Sequence, residues 1–442
     1  MTPHDPNRVA SIMLSWHSLD LVSCTNLQTL WAGYGQICAI TARAKTSKAA
    51  EHLSQLCGVE PGDAGTTYPL ILKLISPPRK SGSTADEGHL RKMLSYEVEQ
   101  YFYSEVVPRL GSDIGIAKCV ASTRDMDAAD SSELKGLMAT IMVDLRPEFP
   151  VAGGKRGALN RTQVRAALDW LAGFHSRSRG LLLASLDEYV LPPIEECSRR
   201  ESSDKGVGKG LWLNGGYTYL ATRRKEYASL AQDTGSEWSD ALCTASEGCS
   251  LSVAEMVALF LTPCGRAIES YIHGDVKSDN LFTTTSGDRV AFFDFQYVGL
   301  GLGVCDLAKL LTCSVPLHML VDDNGGLPEQ LSMCDGEKVL LERYRMSLLQ
   351  DEESEESELY EWEAFKRHWE TALVDWCRFQ ASWGFWGNTE WLEARTLWSN
   401  SFLENVPAPP MLGQRQVLNI PRNGAACTGD SVELEKGEDL PS

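Results

Sequence analysis

Apolar residues recur with two different periods along this chain, and the change from one to the other falls about a third of the way in. In the first part, short apolar runs alternate with polar loops: Leu27 to Leu30, Ile37 to Thr41, and Tyr68 to Ile75, the last stopped by Pro77-Pro78. Runs of that length bounded by breakers predict strands, and several close together predict a small antiparallel sheet. Ser95 to Val107 sets Tyr96, Val98, Tyr101, Phe102, Val106 and Val107 among charged residues ahead of Pro108, which predicts one helix laid on that sheet. Met138 to Val143 is a further strand, and it runs straight into a loop rich in Pro and Gly, Arg146 to Arg156. A sheet that passes into a loop and then into helices marks a lobe boundary near residue 145.

From Arg161 the spacing turns helical, with Val164, Leu168, Leu171, Ala172 and His175 on a period near four. Further helices are predicted at Ala254 to Phe260 and over 336–350 and 359–380, with the acidic run Asp351 to Glu358 as a solvated helix start. Glu195 to Gly210 reads as a polar loop, and no internal repeat is present. The expected organisation is α+β: a β-rich lobe over 1–145 with one helix, a mainly helical lobe over 146–404, and a disordered tail over 405–442 where Pro, Gly and charges dominate.

Chemistry concentrates in residues 272–296. His273-Gly274-Asp275 is followed by Asn280 five residues after the Asp, the arrangement of a kinase catalytic loop, in which the Asp accepts a hydroxyl proton and the Asn holds Mg²⁺. Asp294 ends an apolar strand-like run, so its carboxylate emerges beside that loop and can hold the metal that bridges phosphates. Lys277 can offset charge on a transferring phosphate, with an exposed loop lysine as the competing reading. Upstream, Gly33 and Gly35 sit between two strand-like runs, where backbone amides can approach phosphates closely, although many hairpin turns contain the same pattern. Lys73 lies inside an apolar strand, where a charge needs a partner; Glu97 and Glu99 on the following helix are the candidates, and Glu99 is preferred. Asp279 suits a turn cap and Asp306 a helix N-cap, while His273 orients its loop and His175 is structural.

Composition narrows this further. Sixty acidic against 41 basic residues give a formal charge of −19, which argues against nucleic acid as a partner and against binding to an anionic membrane surface. Thirteen cysteines, odd in number and without a Cys-x-x-Cys pair, signal neither a disulfide framework nor a zinc site, and no apolar stretch approaches the length of a membrane span. A cytoplasmic location is expected.

Taken together, Leu30-Trp-Ala-Gly-Tyr-Gly35, Leu72-Lys73, Ser95-Tyr-Glu-Val-Glu99 with Tyr101-Phe-Tyr103, the helix Leu168 to His175, His273-Gly-Asp275 to Asn280, Asp294-Phe-Gln296 and Asp306-Leu-Ala308 resemble the aminoglycoside phosphotransferase and choline kinase superfamily, nearest its choline-kinase-like and ecdysteroid-kinase-like branches. The resemblance covers most of residues 25–395. It implies a bilobal protein-kinase-like fold with ATP between the lobes. It also implies Lys73 and Glu99 as the phosphate-positioning pair, Asp275 as base, Asn280 and Asp294 as Mg²⁺ ligands, and the strand Ile141 to Leu145, with Met142 and Val143, as the adenine hinge. A small hydroxyl compound is the expected acceptor. Only Phe295 to Cys305 separates Asp294 from Asp306, too little for a protein kinase's activation segment, and Gln296 stands where those enzymes carry Gly. The alternatives are a protein kinase, a catalytically silent nucleotide-binding scaffold, and phosphate ester hydrolysis. Two aromatic segments, Leu211 to Tyr219 with Thr222-Arg223 and Trp376 to Gly387, resemble the same branches; their rings suit an acceptor pocket or a clamp on a cation, with core packing as the competing reading.

Overall fold

The strands of the N-terminal part form one five-stranded antiparallel sheet in the order β1-β2-β3-β5-β4, made of β1 (Leu19–Thr29), β2 (Gly35–Ala44), β3 (Thr67–Ile75), β4 (Cys119–Ser122) and β5 (Met138–Val143). The computed structural model describes residues 5–77, 86–126, 133–202, 210–245, 250–321, 326–350 and 360–403. All of these lie in one compact unit, Met1–Val406; the expected acidic helix start at 351–358 and tail at 405–442 lie outside the described residues.

Alternation decides which faces of the sheet are covered. Cys38, Ile40 and Ala42 of β2 point to one side with Leu70 and Leu72 of β3 and Ile141 of β5, and they bury against Val9, Met13 and Leu14 of α1 (Pro6–Ser15) and Leu53 of α2 (Ser47–Cys57). Each such fully buried aliphatic side chain contributes roughly 1.5–3 kcal/mol. Neither helix was anticipated. Both start at a short polar cap, Asp5 and Thr46, that accepts a backbone N–H, and both are short enough for their apolar stripes to be lost among small residues.

α3 is longer than its apolar pattern indicates: it runs Glu87–Tyr101, capped by Asp86, then continues as a π turn over Phe102–Val106 and a 3₁₀ turn over Val107–Arg109. Pro108 therefore sits within the helical coil's last turn instead of ending it, tolerated because the first residues of a new turn need no N–H donor. Leu94, Val98 and Phe102 of α3 bury in the larger core, whose other members come from the helical part.

That part opens with α4 (Arg161–Arg179), begun by an Asn160–Gln163 capping box, and includes α5 (Pro193–Ser202), α6 (Arg224–Gln232), α7 (Glu237–Cys243), α8 (Val253–Leu261), α9 (Val304–Ser314), α10 (Asp335–Leu348) and the helices Trp362–Trp383 and Thr389–Leu403. The first half of the segment expected to be a polar loop, Glu195 to Gly210, is thus helical. α5 is almost wholly polar and stands on charge pairs: Glu196 takes Arg200 four residues on at 2.8 Å and also Arg199, so hydrophobic period could not reveal it. Between these helices lie a small sheet, β6 (Val151–Ala152), β8 (Leu281–Thr283) and β9 (Val290–Phe292), and a two-strand ladder of β7 (Ser270–Ile272) with β10 (Gly299–Gly301). Among the described residues no helix is long and apolar enough to cross a membrane, and no cysteine is in a disulfide.

Candidate active site

β3 carries Lys73 in register with Ile37 on one side and Thr140 on the other, so its side chain leaves the middle of the sheet toward α3. There its ammonium meets Glu99 at 2.6 Å and Asp294 at 3.0 Å. Glu97, the other candidate partner, turns away to Arg200 of α5 at 2.9 Å. Burial works against the Lys73 charge, yet the Asp294 and Glu99 carboxylates outweigh it and raise its pKa. The same burial pushes Glu99 up to about 7 against the pull of Lys73, whereas Asp294 is held below its ordinary value by Lys73 in spite of burial.

Asp294 has φ of 65°, a left-handed backbone that a residue with a Cβ adopts at a cost of about 1–2 kcal/mol. Its side-chain bonds to Lys73 and to the Gln296 amide, at 2.6 Å, hold it there. Phe295 stacks on Phe102 at 4.2 Å and lies 4.5 Å from the His273 ring, so the turn after Asp294 is packed between the end of α3 and the His273 loop. Gln296 also accepts from Ser95 of α3 at 3.2 Å, and Arg91 of α3 donates to the Thr222 carbonyl at 2.8 Å.

The loop after β7 brings the remaining groups together. His273 donates from Nε2 to the Phe293 carbonyl at 3.0 Å and accepts the Asp275 N–H at Nδ1, 3.2 Å, which fixes a neutral ring; burial lowers its pKa, in keeping with that tautomer. Asp275 receives Lys277 at 3.0 Å and the Asn280 amide at 2.9 Å. Asn280 in turn sits beside Asp294, because the Phe293 N–H donates to the Asn280 carbonyl at 3.0 Å at the edge of the β8–β9 ladder. Asp279 accepts the Arg156 N–H at 2.6 Å, the turn-capping fate expected of it.

Asp306 corrects the expectation. The N-cap of α9 is Gly303, and Asp306 lies in the first turn, fully buried, accepting the backbone N–H groups of His273 at 2.6 Å and Gly274 at 2.9 Å and bonding His175 at 3.2 Å. Lys309, one turn further, donates to the Gly274 carbonyl at 2.6 Å. α9 therefore grips the Gly274 peptides from both polarities. Sequence reasoning passed over Lys309, although a lysine inside Leu307-Ala-Lys-Leu-Leu is the same anomaly that exposed Lys73.

The two glycines of the first hairpin differ. A Cβ on Gly35 would lie 2.1 Å from the Leu74 carbonyl, so this position serves close strand pairing, whereas Gly33, at φ 70°, has open space around it at the turn. Lys92 of α3 lies over the Trp31 and Tyr34 rings at 3.9 and 4.6 Å and ties the turn to that helix. Met142 and Val143 end β5, Met142 in the larger core and Val143 against the sheet core. A cavity of about 420 Å³ lined by Tyr68, Lys118, Val143, Asp144 and Phe149 touches none of Lys73, Asp275, Asn280 or Asp294, so cavity size does not locate this chemistry.

Asn280 and Asp294, brought near each other by the Phe293–Asn280 backbone bond, could supply hard oxygen donors to Mg²⁺, which takes few protein ligands and completes its shell with phosphate and water oxygens. No group of three or more His, Cys, Asp or Glu among the described residues would hold a metal unaided. Residues 146–333 match the phosphotransferase enzyme family. That match agrees with the resemblance to the aminoglycoside phosphotransferase and choline kinase superfamily and covers the segment that carries Asp275, Asn280 and Asp294. No curated protein sequence matches it. Solved structures similar to it include an ethanolamine kinase of Plasmodium vivax (11% identity, 90% of this chain and 84% of that one, TM-score 0.36). A choline kinase of Cryptosporidium parvum (10%, 86% and 86%, 0.35) and a macrolide 2'-phosphotransferase of Brachybacterium faecium (12%, 88% and 97%, 0.37) are others.

Proposed function

We propose that this phosphotransferase uses ATP with Mg²⁺ and moves the terminal phosphate to a hydroxyl of a small organic molecule. The carrying observation is the contact of Lys73 with both Glu99 and Asp294, since it joins the phosphate-positioning strand to the metal loop beside Asp275. In this reading Asp275 takes the acceptor's hydroxyl proton as that oxygen bonds to the γ-phosphorus, and the bridging P–O bond breaks so that ADP leaves with the electron pair. Lys73 and Glu99 position the phosphates, Lys277 supplies positive charge beside them, His273 holds the loop, and the Gly33 turn and the Met142–Val143 strand end flank the nucleotide. Asn280 and Asp294 would hold Mg²⁺, which when bound offsets phosphate charge.

A small acceptor is favoured over a peptide because the connector from Phe295 to Cys305 is taken up by the Gly299–Gly301 ladder and the start of α9, leaving no platform. We divide the chain functionally at residue 145, with 1–145 as the nucleotide lobe and 146–404 as the acceptor lobe. The test is transfer of γ-labelled phosphate from ATP into a small-molecule extract by wild type and Asp275→Asn under Mg²⁺. A labelled organic product from wild type alone is expected; orthophosphate as the sole product would overturn the reading in favour of hydrolysis.

A further inference from the structure

The aromatic cluster beside Asp275 already holds a cation, and it is the chain's own. Arg223 stands over Tyr217, Phe379 and Trp383 at 5.5, 5.3 and 4.9 Å from guanidinium carbon to ring centre. Its Nε donates to the Tyr217 carbonyl at 2.7 Å and its Nη1 to Glu226 at 3.0 Å. Nη2 has no hydrogen-bond partner among the described residues, and it is not one of the sealed, unpaired buried atoms.

This cluster adjoins the reacting carboxylates. Gly216 packs so closely on Gly274 that a Cβ on Gly274 would lie 2.7 Å from the Gly216 nitrogen, which puts Tyr217 next to the residue before Asp275. Tyr217 and Tyr297 pair at 5.0 Å, and Tyr297 is three residues beyond Asp294. Burial raises the Tyr297 hydroxyl to about 12; Arg91 and Arg223 oppose it while Asp275 and Asp294 add to it, so one hydroxyl feels both arginines and both carboxylates. Neither tyrosine hydroxyl has a partner among the described residues, and neither is a sealed buried atom. The donors left over at this wall are thus a guanidinium N–H and two phenols, while Arg223 lies over the Tyr217, Phe379 and Trp383 rings and Lys309 stands 5.7 Å from the Tyr217 ring centre.

We propose that the phosphate acceptor is an alcohol that also carries an anionic oxygen group, a carboxylate or a phosphate ester, bound by Arg223 with Tyr217 and Tyr297, and that quaternary ammonium alcohols are excluded. This rests on the phosphotransferase reading above. Guanidinium binds such oxygens through charge-assisted bonds, and a foreign cation at these rings would meet both Arg223 and Lys309, against the Glu226 carboxylate that pairs with Arg223.

The experiment uses the full-length wild-type protein with Mg²⁺ and γ-labelled ATP, and an extract separated beforehand into anion-exchange-retained, cation-exchange-retained and unretained fractions, with choline as a further acceptor. Label is expected in products from the anion-retained fraction alone; prior phosphatase treatment removes that acceptor if its anion is a phosphate ester and spares it if it is a carboxylate. Label from choline, or from the cation-retained or unretained fraction, overturns the inference while leaving the phosphotransferase reading standing. No organic product from any fraction overturns both. With the labelled acceptor, Arg223→Gln should raise its KM at least tenfold with kcat changed less than about threefold, and Arg223→Lys should recover part of the loss. An unchanged acceptor KM in both variants removes Arg223 from the site.

Discussion

The proposed nucleotide side, around Lys73 and Asp275, and the proposed acceptor side, around Arg223, are built on different plans. On the first, every charge has a named opposite within about 3 Å: Lys73 with Glu99 and Asp294, and Asp275 with Lys277, which the Asn280 amide joins by a hydrogen bond. On the second, aromatic rings carry the wall, and Arg223, although paired with Glu226 at 3.0 Å, keeps Nη2 without a hydrogen-bond partner among the described residues. Groups that handle a fixed partner such as a triphosphate are paired and oriented in advance. Groups that select a variable one offer surface and a few directed donors.

If that contrast holds, damage on the two sides should look different. The largest effect is expected from Asp275→Asn, which should lower kcat by roughly a thousandfold or more while ATP affinity, read by titration, moves less than about threefold. Asp306→Ala should follow, because it strands two backbone N–H groups behind the catalytic loop; a loss of about 3–5 kcal/mol in urea unfolding is expected, along with loss of transfer. A merely local N-cap would cost about 1 kcal/mol, so this measurement separates the two roles.

Glu99 adds a pH signature to the nucleotide side. Its folded pKa, about 7, lies above the ordinary carboxylate value, so the folded state favours the protonated form. The associated stability is full at low pH and is lost as pH rises through about 7, while the ion pair with Lys73 forms over the same range. kcat/KM for ATP should therefore climb severalfold as pH rises through 7 in wild type, and Glu99→Gln should lose that limb. On the acceptor side, Trp383→Ala removes the exposed ring over Arg223 and should raise the acceptor KM about threefold to tenfold, with the ATP KM unmoved. Equal changes in both constants would dissolve the distinction between the sides. The smallest effect lies away from both: burial, with Arg266 and Arg367, lowers His368 to about 4, so stability should fall by about 1 kcal/mol between pH 6 and 5, and His368→Phe should flatten that slope.

The contrast also explains what could be read from the chain. Lys73, Asp275, Asn280 and Asp294 announce themselves because a charge inside an apolar run, or an Asp and Asn at loop spacing, has few innocent explanations. Strand β5 and helix α4 were legible from period alone, and α4 carries its capping box in plain view. Arg223, Tyr217 and Phe379 fall in the two aromatic segments that the sequence sets apart, but with Tyr297 they are scattered over more than 160 positions, and they meet only where α6 packs on the helix Trp362–Trp383. α5 was invisible because ion pairs, not an apolar stripe, hold it. Asp306 looked like a cap since sequence records its place at the start of a helix but not the catalytic loop lying across that turn.

Helix α3 bears a consequence beyond the groups it carries. Its lower face is part of the larger core, Arg91 holds the Thr222 carbonyl, Ser95 reaches Gln296 and Glu97 takes Arg200. Glu99 is therefore carried on a helix stitched to the C-terminal part at Thr222, Gln296 and Arg200, so the Glu99–Lys73 contact hangs on seams that lie well away from either residue.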